Sequence, residues 1–232
     1  MSAGAIILCR LDSHRLPGKA LHQVGGRPLI DFALQRCRAV AALQGNIVLA
    51  TSTRDVDDPL ADFARENGLW LFRGPTDDVA GRVLACARQF GFCYFVRVNG
   101  DSPFLDPSLV DEAIQLAEAG GLDLVTNLVP RSFPYGVSVE VVRTETFADA
   151  FPQMTRPDHR EHVTKYLYEQ IGLFRYANIT CPAGDWSRVR LTVDTPEDLD
   201  WFGRMVARFG NDMDRLSYAE ALRFLSEGVR AA

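Results

Sequence analysis

The chain has 232 residues, 47% of them hydrophobic and 24% charged, which gives enough apolar mass for one large core and points to a single domain over residues 1–232. Its formal charge is −5, yet the first 50 residues hold six cations (Arg10, Arg15, Lys19, Arg27, Arg36 and Arg38) against Asp12 and Asp31. An acidic protein with a locally basic end suits a small anionic ligand and lacks the wide basic surface that nucleic acid requires.

In chain order, Ala5-Ile6-Ile7-Leu8-Cys9 is apolar on both faces, as a buried parallel strand is. Ile30, Leu34, Cys37 and Ala41 recur at helical spacing, with Pro28 where a first helical turn tolerates it. Ile47–Ala50 reads as a strand, Pro59–Asn67 as a helix stopped by Gly68, and Leu69–Phe72 as a strand again. A helix over Val79–Phe90 and a strand over Tyr94–Val98 continue the alternation. Asp106 then caps a helix with Pro107 at its first position, which ends at Gly120-Gly121.

The rhythm changes after Leu122–Val125. Pro130 and Pro134 punctuate a loop leading into Val137-Ser138-Val139-Glu140-Val141-Val142, whose alternation predicts a half-exposed strand and a mixed sheet. A helix around His159–Ile171, strands near Phe174–Ile179 and Val189–Val193, and helices from Pro196 and Tyr218 complete the chain. The expected fold is α/β, a three-layer α/β/α Rossmann-like domain with a mixed, mostly parallel sheet, and such sheets bind ligands outside the carboxyl ends of their strands. The chemistry is therefore expected in loops 10–19, 51–58, 73–78 and 99–106.

No apolar run has the length of a membrane span, and the first residues lack a signal-peptide pattern, so a cytoplasmic protein is expected. The five cysteines (Cys9, Cys37, Cys86, Cys93 and Cys181) are scattered, with no Cys-x-x-Cys, and read as reduced thiols in or near the core.

The loop after the first strand, Arg10-Leu11-Asp12-Ser13-His14-Arg15-Leu16-Pro17-Gly18-Lys19, sets three cations and a glycine within ten residues. A triphosphate needs forked guanidinium donors, charge neutralisation, and backbone N–H groups that a glycine lets approach closely. A solvated basic turn would look similar. Neither Gly-x-x-x-x-Gly-Lys-Ser/Thr nor Gly-x-Gly-x-x-Gly is present here.

At the end of the fourth strand, Arg97-Val98-Asn99-Gly100-Asp101-Ser102-Pro103 places Asp101 at the sheet's carboxyl edge, where a carboxylate either holds Mg²⁺ or caps Ser102 or Ser108. Arg190-Leu191-Thr192-Val193-Asp194-Thr195-Pro196-Glu197-Asp198-Leu199 sets another aspartate between strand and helix; read alone, Asp194 or Thr195 is an ordinary N-cap. His159 and His162, spaced i, i+3, read as a hydrogen-bonding pair rather than zinc ligands. The Asp-x-Asp pairs 55/57, 198/200 and 212/214 read as polar turns and helix faces.

Together these segments resemble the CMP-sugar synthetase group of nucleotidyltransferases, especially its spore-coat polysaccharide biosynthesis protein F branch. The likeness spans almost the whole chain and rests on Arg10 with Ser13–Leu21, on Phe72–Val79 with Arg82, on Arg97–Pro103, on Arg160-Glu161-His162-Val163-Thr164 and on Arg190–Leu199. It implies Mg²⁺-dependent transfer of CMP from CTP to a small anionic acceptor, with pyrophosphate leaving, in a homodimer that serves surface polysaccharide or glycoconjugate synthesis. Arg10, Lys19, Asp101 and Asp194 would be catalytic, the two aspartates around the metal. The implied nucleotide site is Leu8, Arg10, Ser13, Arg15, Gly18, Lys19, Thr51, Ser52, Arg73, Asp78, Arg82, Asn99 and Gly100.

Tyr135, Ser138, Glu140, Arg160 and His162 would meet the acceptor, with His162 a candidate base if the acceptor is a hydroxyl. Related sequences commonly carry Pro-Asp-Gly-x-Asp-x-Glu where this chain has Pro134-Tyr135-Gly136-Val137-Ser138-Val139-Glu140, so two acidic positions are lost. That departure favours a phosphorylated or phosphonate acceptor over Kdo or sialic acid, with Tyr135 offering a face for stacking.

Two other functions use this kind of sheet. A glycosyltransferase would carry Asp-x-Asp where this chain has Gly100-Asp101-Ser102, and a non-catalytic nucleotide binder would have no need of Lys19, Asp101 and Asp194 together.

Overall fold

A computed structural model describes residues 2–12 and 15–225. Strand β1 (Ala3–Leu8) is followed by a small hairpin of β2 (Gln23–Val24) and β3 (Arg27–Pro28), then α1 (Leu29–Arg38), β4 (Ile47–Ser52), α2 (Asp58–Glu66), β5 (Trp70–Gly74), α3 (Val79–Gln89) and β6 (Tyr94–Asn99). Next come α4 (Pro107–Gly120), β7 (Leu124–Thr126), β8 (Glu140–Arg143), α5 (Thr144–Ala150), α6 (Pro157–Glu161), α7 (Lys165–Glu169), β9 (Tyr176–Asn178), α8 (Pro196–Phe209) and α9 (Tyr218–Phe224).

The main sheet has seven strands in the order β5-β4-β1-β6-β8-β7-β9, and only β8 runs against the rest. The expected mixed, mostly parallel α/β sheet is what forms. Side chains alternate across it: Ala5 and Ile7 of β1 pack with Phe32, Ile114, Trp201 and Phe202 on one face, while Ile6 packs with Val83, Phe95 and Phe147 on the other. Each such side chain taken fully from water contributes about 1.5–3 kcal/mol, so burying both faces fixes the register of the central strands.

The first four sheet strands wind outward from β1 through β4 to β5 and then cross to β6 on its other side. The chain thus leaves β1 and β6 in opposite directions. That opens a crevice between their carboxyl ends, the switch point where ligands enter such sheets.

The punctuation works as its chemistry requires. Asp106 accepts hydrogen bonds from Ser108 N and Leu109 N ahead of α4, and Gly121 takes the left-handed turn after it (φ +56°).

Four expectations change. Glu140–Arg143 is a buried interior strand, because β6 and β7 flank it and Glu140 pairs with Arg97 instead of facing water. Paired on both sides, it offers no free edge to a second copy. The helix around His159–Ile171 breaks into α6 and α7 at His162, whose backbone (φ −103°, ψ 80°) leaves the helical range. Residues 189–193 form no strand and make one isolated bridge, Arg190 to Tyr135. The cysteines are all free, but Cys93 is exposed.

Candidate active site

A cavity of about 420 Å³ opens at the switch point, lined from β1 and its loop by Leu8, Cys9, Arg10, Arg15 and Lys19, and from β6 and the turn after it by Arg97, Asn99, Gly100 and Asp101. Arg82, Glu161, His162 and Asp194 close it. Gly18 gives the first loop its shape: at φ +69° it adopts the left-handed turn that starts the short 3₁₀ segment Lys19–Leu21, and its N–H closes the loop on Leu11 O at 2.9 Å. The turn aims Lys19 inward.

Lys19 Nζ lies between two carboxylates, ion-paired with Asp101 and 2.9 Å from Asp194 Oδ1, with its side chain only 14% exposed. Burial opposes its charge, but Asp101 and Asp194 outweigh burial and raise the lysine pKa. Asp194 also accepts from Arg15 (2.9 Å), Arg190 (3.2 Å) and Thr192 Oγ1 (2.9 Å). Burial again works against the charge, and Lys19, Thr192 and Arg15 hold the Asp194 pKa below the usual carboxylate range.

The helix-capping alternative for Asp194 fails, because Thr195 caps α8 in a reciprocal capping box with Asp198. Asp106 likewise takes the capping role that Asp101 could have had at Ser108.

Two carboxylates on one cavity wall, already bridged by a cation, match the donor set of a hard divalent ion, which takes one or two carboxylates and completes its shell with phosphate oxygens and water. Among the described residues no cluster of three or more potential ligands occurs, so an all-protein metal cage is not built here.

The remaining expected nucleotide residues divide. Arg10 faces the cavity while donating to Thr76 O (2.7 Å) and Glu161 Oε1 (2.9 Å), which ties the first loop to the loop before α3 and to α6. Arg82 is buried, its guanidinium donating to Pro75 O and Thr76 O. Burial and the neighbouring Arg10 lower its pKa.

The structure does not bring Thr51, Ser52, Arg73 and Asp78 to the cavity lining. The Ser52 hydroxyl donates to buried Asp57, which also receives Leu11 N–H (2.8 Å). Arg73 binds Ser52 O, Arg54 O and Asp58. Asp78 caps α3 and pairs with Arg160 at 3.3 Å. Ser13 lies outside the described residues.

On the acceptor side, His162 and Glu140 line a second cavity of about 420 Å³, whose wall also holds Arg97, Thr164, Lys165 and Tyr168; Arg97 and His162 line both cavities. The His162 imidazole has no hydrogen-bond partner among the described residues. The pair expected with His159 does not form, since buried His159 turns to Glu169 at 2.9 Å.

Arg160 lines neither cavity: it donates to Met154 O and lies over Phe151 at 3.8 Å. Tyr135 and Ser138 stand beside the site. The Tyr135 face is occupied by the chain's own cations, Arg131 at 4.1 Å and Arg190 at 5.0 Å, and Ser138 Oγ is 3.4 Å from Arg131.

Sequence reasoning passed over Glu161, Asp57, Arg190 and above all Arg97. A charge inside the apolar run Phe95-Val96-Arg97-Val98 was the available signal.

Residues 4–229 match the sequence model of a family described as cytidylyltransferase. The chain is 32% identical over 232 residues, 98% of its own length and 95% of the relative's, to the spore coat polysaccharide biosynthesis protein SpsF of Bacillus subtilis (strain 168). It is 28% identical over 189 residues, 75% of each protein, to the 3-deoxy-manno-octulosonate cytidylyltransferase of Acidobacterium capsulatum. Among solved structures, a cytidylyltransferase from Leptospira borgpetersenii serovar Hardjo-bovis superposes with a TM-score of 0.91 at 28% identity, over 98% of this chain and 95% of that one. A CMP:2-keto-3-deoxy-manno-octonic acid synthetase solved with CTP shares the fold, with a TM-score of 0.65 at 18% identity over 90% of this chain and 99% of that one. Because the family match begins within β1 and continues past α9, it takes in both walls of the crevice, and on that ground the chain belongs to the cytidylyltransferase family of nucleotidyltransferase enzymes.

Proposed function

We propose that this chain transfers CMP from CTP, with Mg²⁺, to a small anionic acceptor and releases pyrophosphate. The observation that carries the reading is Lys19 held between Asp101 and Asp194 at the mouth of the β1–β6 crevice. Bound Mg²⁺ would supply charge neutralisation at the phosphate oxygens, with Asp101 and Asp194 as its protein ligands.

The chain's own groups do the rest by position and charge. Lys19, Arg10 and Arg15 surround the triphosphate and balance the negative charge that grows on the leaving pyrophosphate. An acceptor oxygen attacks the α-phosphorus in line, forming one P–O bond as the bond to the β-phosphate bridge breaks, with no covalent enzyme intermediate. A phosphate acceptor is already ionised and needs no base, whereas a hydroxyl gives up its proton to His162, a residue that lines both cavities.

Glu140 and His162 place the acceptor beside the nucleotide. The polysaccharide role named for the Bacillus relative and the sugar-acid specificity named for the Acidobacterium relative support an acceptor from surface polysaccharide or glycoconjugate synthesis. No helix among the described residues is long and apolar enough to cross a membrane, in keeping with a cytoplasmic enzyme; a homodimer is part of the same reading.

The test is pyrophosphate release from CTP, UTP, GTP and ATP, each with Mg²⁺ and a pool of phosphorylated and carboxylated small molecules. CTP-selective release that depends on the pool is expected. Release of a nucleoside diphosphate from a nucleotide sugar, with none from CTP, would overturn it.

A further inference from the structure

Arg97 is the least explained cation in the molecule. It sits in β6 two residues before Asn99, so strand alternation puts those two on one face, and both line the first cavity together with Asp101 from the turn that follows the strand. Its side chain is 22% exposed, and it lines the second cavity as well.

A guanidinium has five N–H donors arranged along three edges. Here only Nη1 has a hydrogen-bond partner among the described residues, the carboxylate of Glu140; Nε is buried with none. Nε and Nη2 share the edge that grips an oxyanion through two parallel hydrogen bonds, and that is the edge left over.

Glu140 cannot turn to serve that edge. It is 1% exposed, Arg97 occupies its Oε2, and Thr164 and Tyr168 donate to its Oε1. Burial disfavours its charge, but Arg97, Thr164 and Tyr168 hold its pKa below the usual range, so it stays a carboxylate that fixes the arginine. A buried donor without a partner destabilises the protein unless a ligand meets it, and the side chain that carries this one belongs to a residue lining both the nucleotide cavity and its neighbour.

We infer that Arg97, oriented by Glu140, is the acceptor-specificity residue: its Nε/Nη2 edge takes an oxyanion of the acceptor, phosphate or carboxylate, at the junction of the two cavities. The inference rests on the cytidylyl-transfer reading and adds to it the group that selects an anionic acceptor. Glu140 is a positioning residue that acts through Arg97.

The experiment uses the full chain saturated with CTP and Mg²⁺, so that the triphosphate cradle is filled. CTP binding is established first by calorimetry; its absence would sink the transfer reading before any anion is added. Inorganic phosphate and acetate are then titrated separately while the Arg97 Nε–H resonance, assigned through its bonds to the backbone, is followed by NMR.

A saturable shift with phosphate alone assigns a phosphorylated acceptor, and one with acetate alone a carboxylated one; both outcomes support the proposal. In Arg97→Lys, which keeps a cation beside Glu140, the favoured anion should bind on the order of tenfold more weakly to the CTP-loaded protein because the fork is lost. No shift with either anion in CTP-loaded protein, or equal anion affinity in Arg97→Lys, overturns the assignment. The wild-type measurement decides even if the variant folds poorly.

Discussion

Replacing Asp194 by asparagine removes one negative charge from the cavity while keeping the side chain's shape, and the structure allows its two consequences to be separated. The carboxylate receives Lys19, Arg15, Arg190 and Thr192, but it does not cap α8, which Thr195 and Asp198 do between them. The Arg15 and Arg190 side chains are 64% and 51% exposed, so solvent screens those pairs to about 0–1 kcal/mol each. The half-buried bond from Lys19 is worth ~1.5–3 kcal/mol, and the amide oxygen retains part of it while Lys19 keeps Asp101. A net loss of ~1–3 kcal/mol follows, which for a chain of this size lowers Tm by roughly 2–12 °C and leaves it folded.

Turnover should fall much further, by about 10²–10³-fold, because an amide is a poor ligand for a hard cation and the preorganised charge at the phosphates is lost. Pyrophosphate release and thermal melts on the same preparation separate the two effects. Wild-type turnover in Asp194→Asn would refute the assignment of this carboxylate to the metal. The stability difference also has a pH signature. A carboxyl with a depressed folded pKa contributes fully above its unfolded value of about 3.9 and loses that contribution as pH falls through the lower folded value. Wild type and Asp194→Asn should therefore differ in Tm at neutral pH and converge under strong acid.

Lys19→Ala should lower kcat/KM on the order of 10²-fold and, because it loses both the Asp101 and Asp194 pairs, lower Tm at least as much as Asp194→Asn, whereas Arg15→Ala, whose side chain is mostly exposed, should be milder; equal kinetics for Lys19→Ala and wild type would remove the first loop from the triphosphate site. Arg73→Ala should act on stability more than on CTP binding, since its guanidinium holds Ser52 O, Arg54 O and Asp58 and not the cavity; calorimetry showing CTP affinity lost with Tm unchanged would contradict this. Ser138→Asp should pair with Arg131, raise Tm slightly and weaken use of a phosphate-bearing acceptor, and unchanged acceptor kinetics would leave that loop without a role in selection. Efficient cytidylylation of Kdo or N-acetylneuraminate by the wild type would count against the phosphate preference itself.

Local chemistry made much of this protein legible in its sequence. Apolar runs marked β1 and most of β4 and β6 because a strand covered on both faces gives few positions to polar groups, and Asp106 with Pro107, Gly68 and Gly121 marked helix ends through caps that depend only on neighbouring residues. Since parallel strands present their carboxyl ends along one edge, the order of elements also placed the loops bearing Arg10, Lys19 and Asp101 together.

What the sequence could not settle is what each side chain meets across the fold. The alternation at 137–142 reads as half-exposed because Glu140 is polar, and it took the pairing of β8 between β6 and β7 to bury that carboxylate against Arg97. Asp194 reads as a cap until Lys19, 175 residues earlier in the chain, reaches it; Ser52 and Arg73 read as ligands until Asp57 and Asp58 claim them. Periodicity and capping report each residue's local backbone and its burial. Charge pairing is decided by groups distant in sequence that only the closed sheet brings within hydrogen-bonding range.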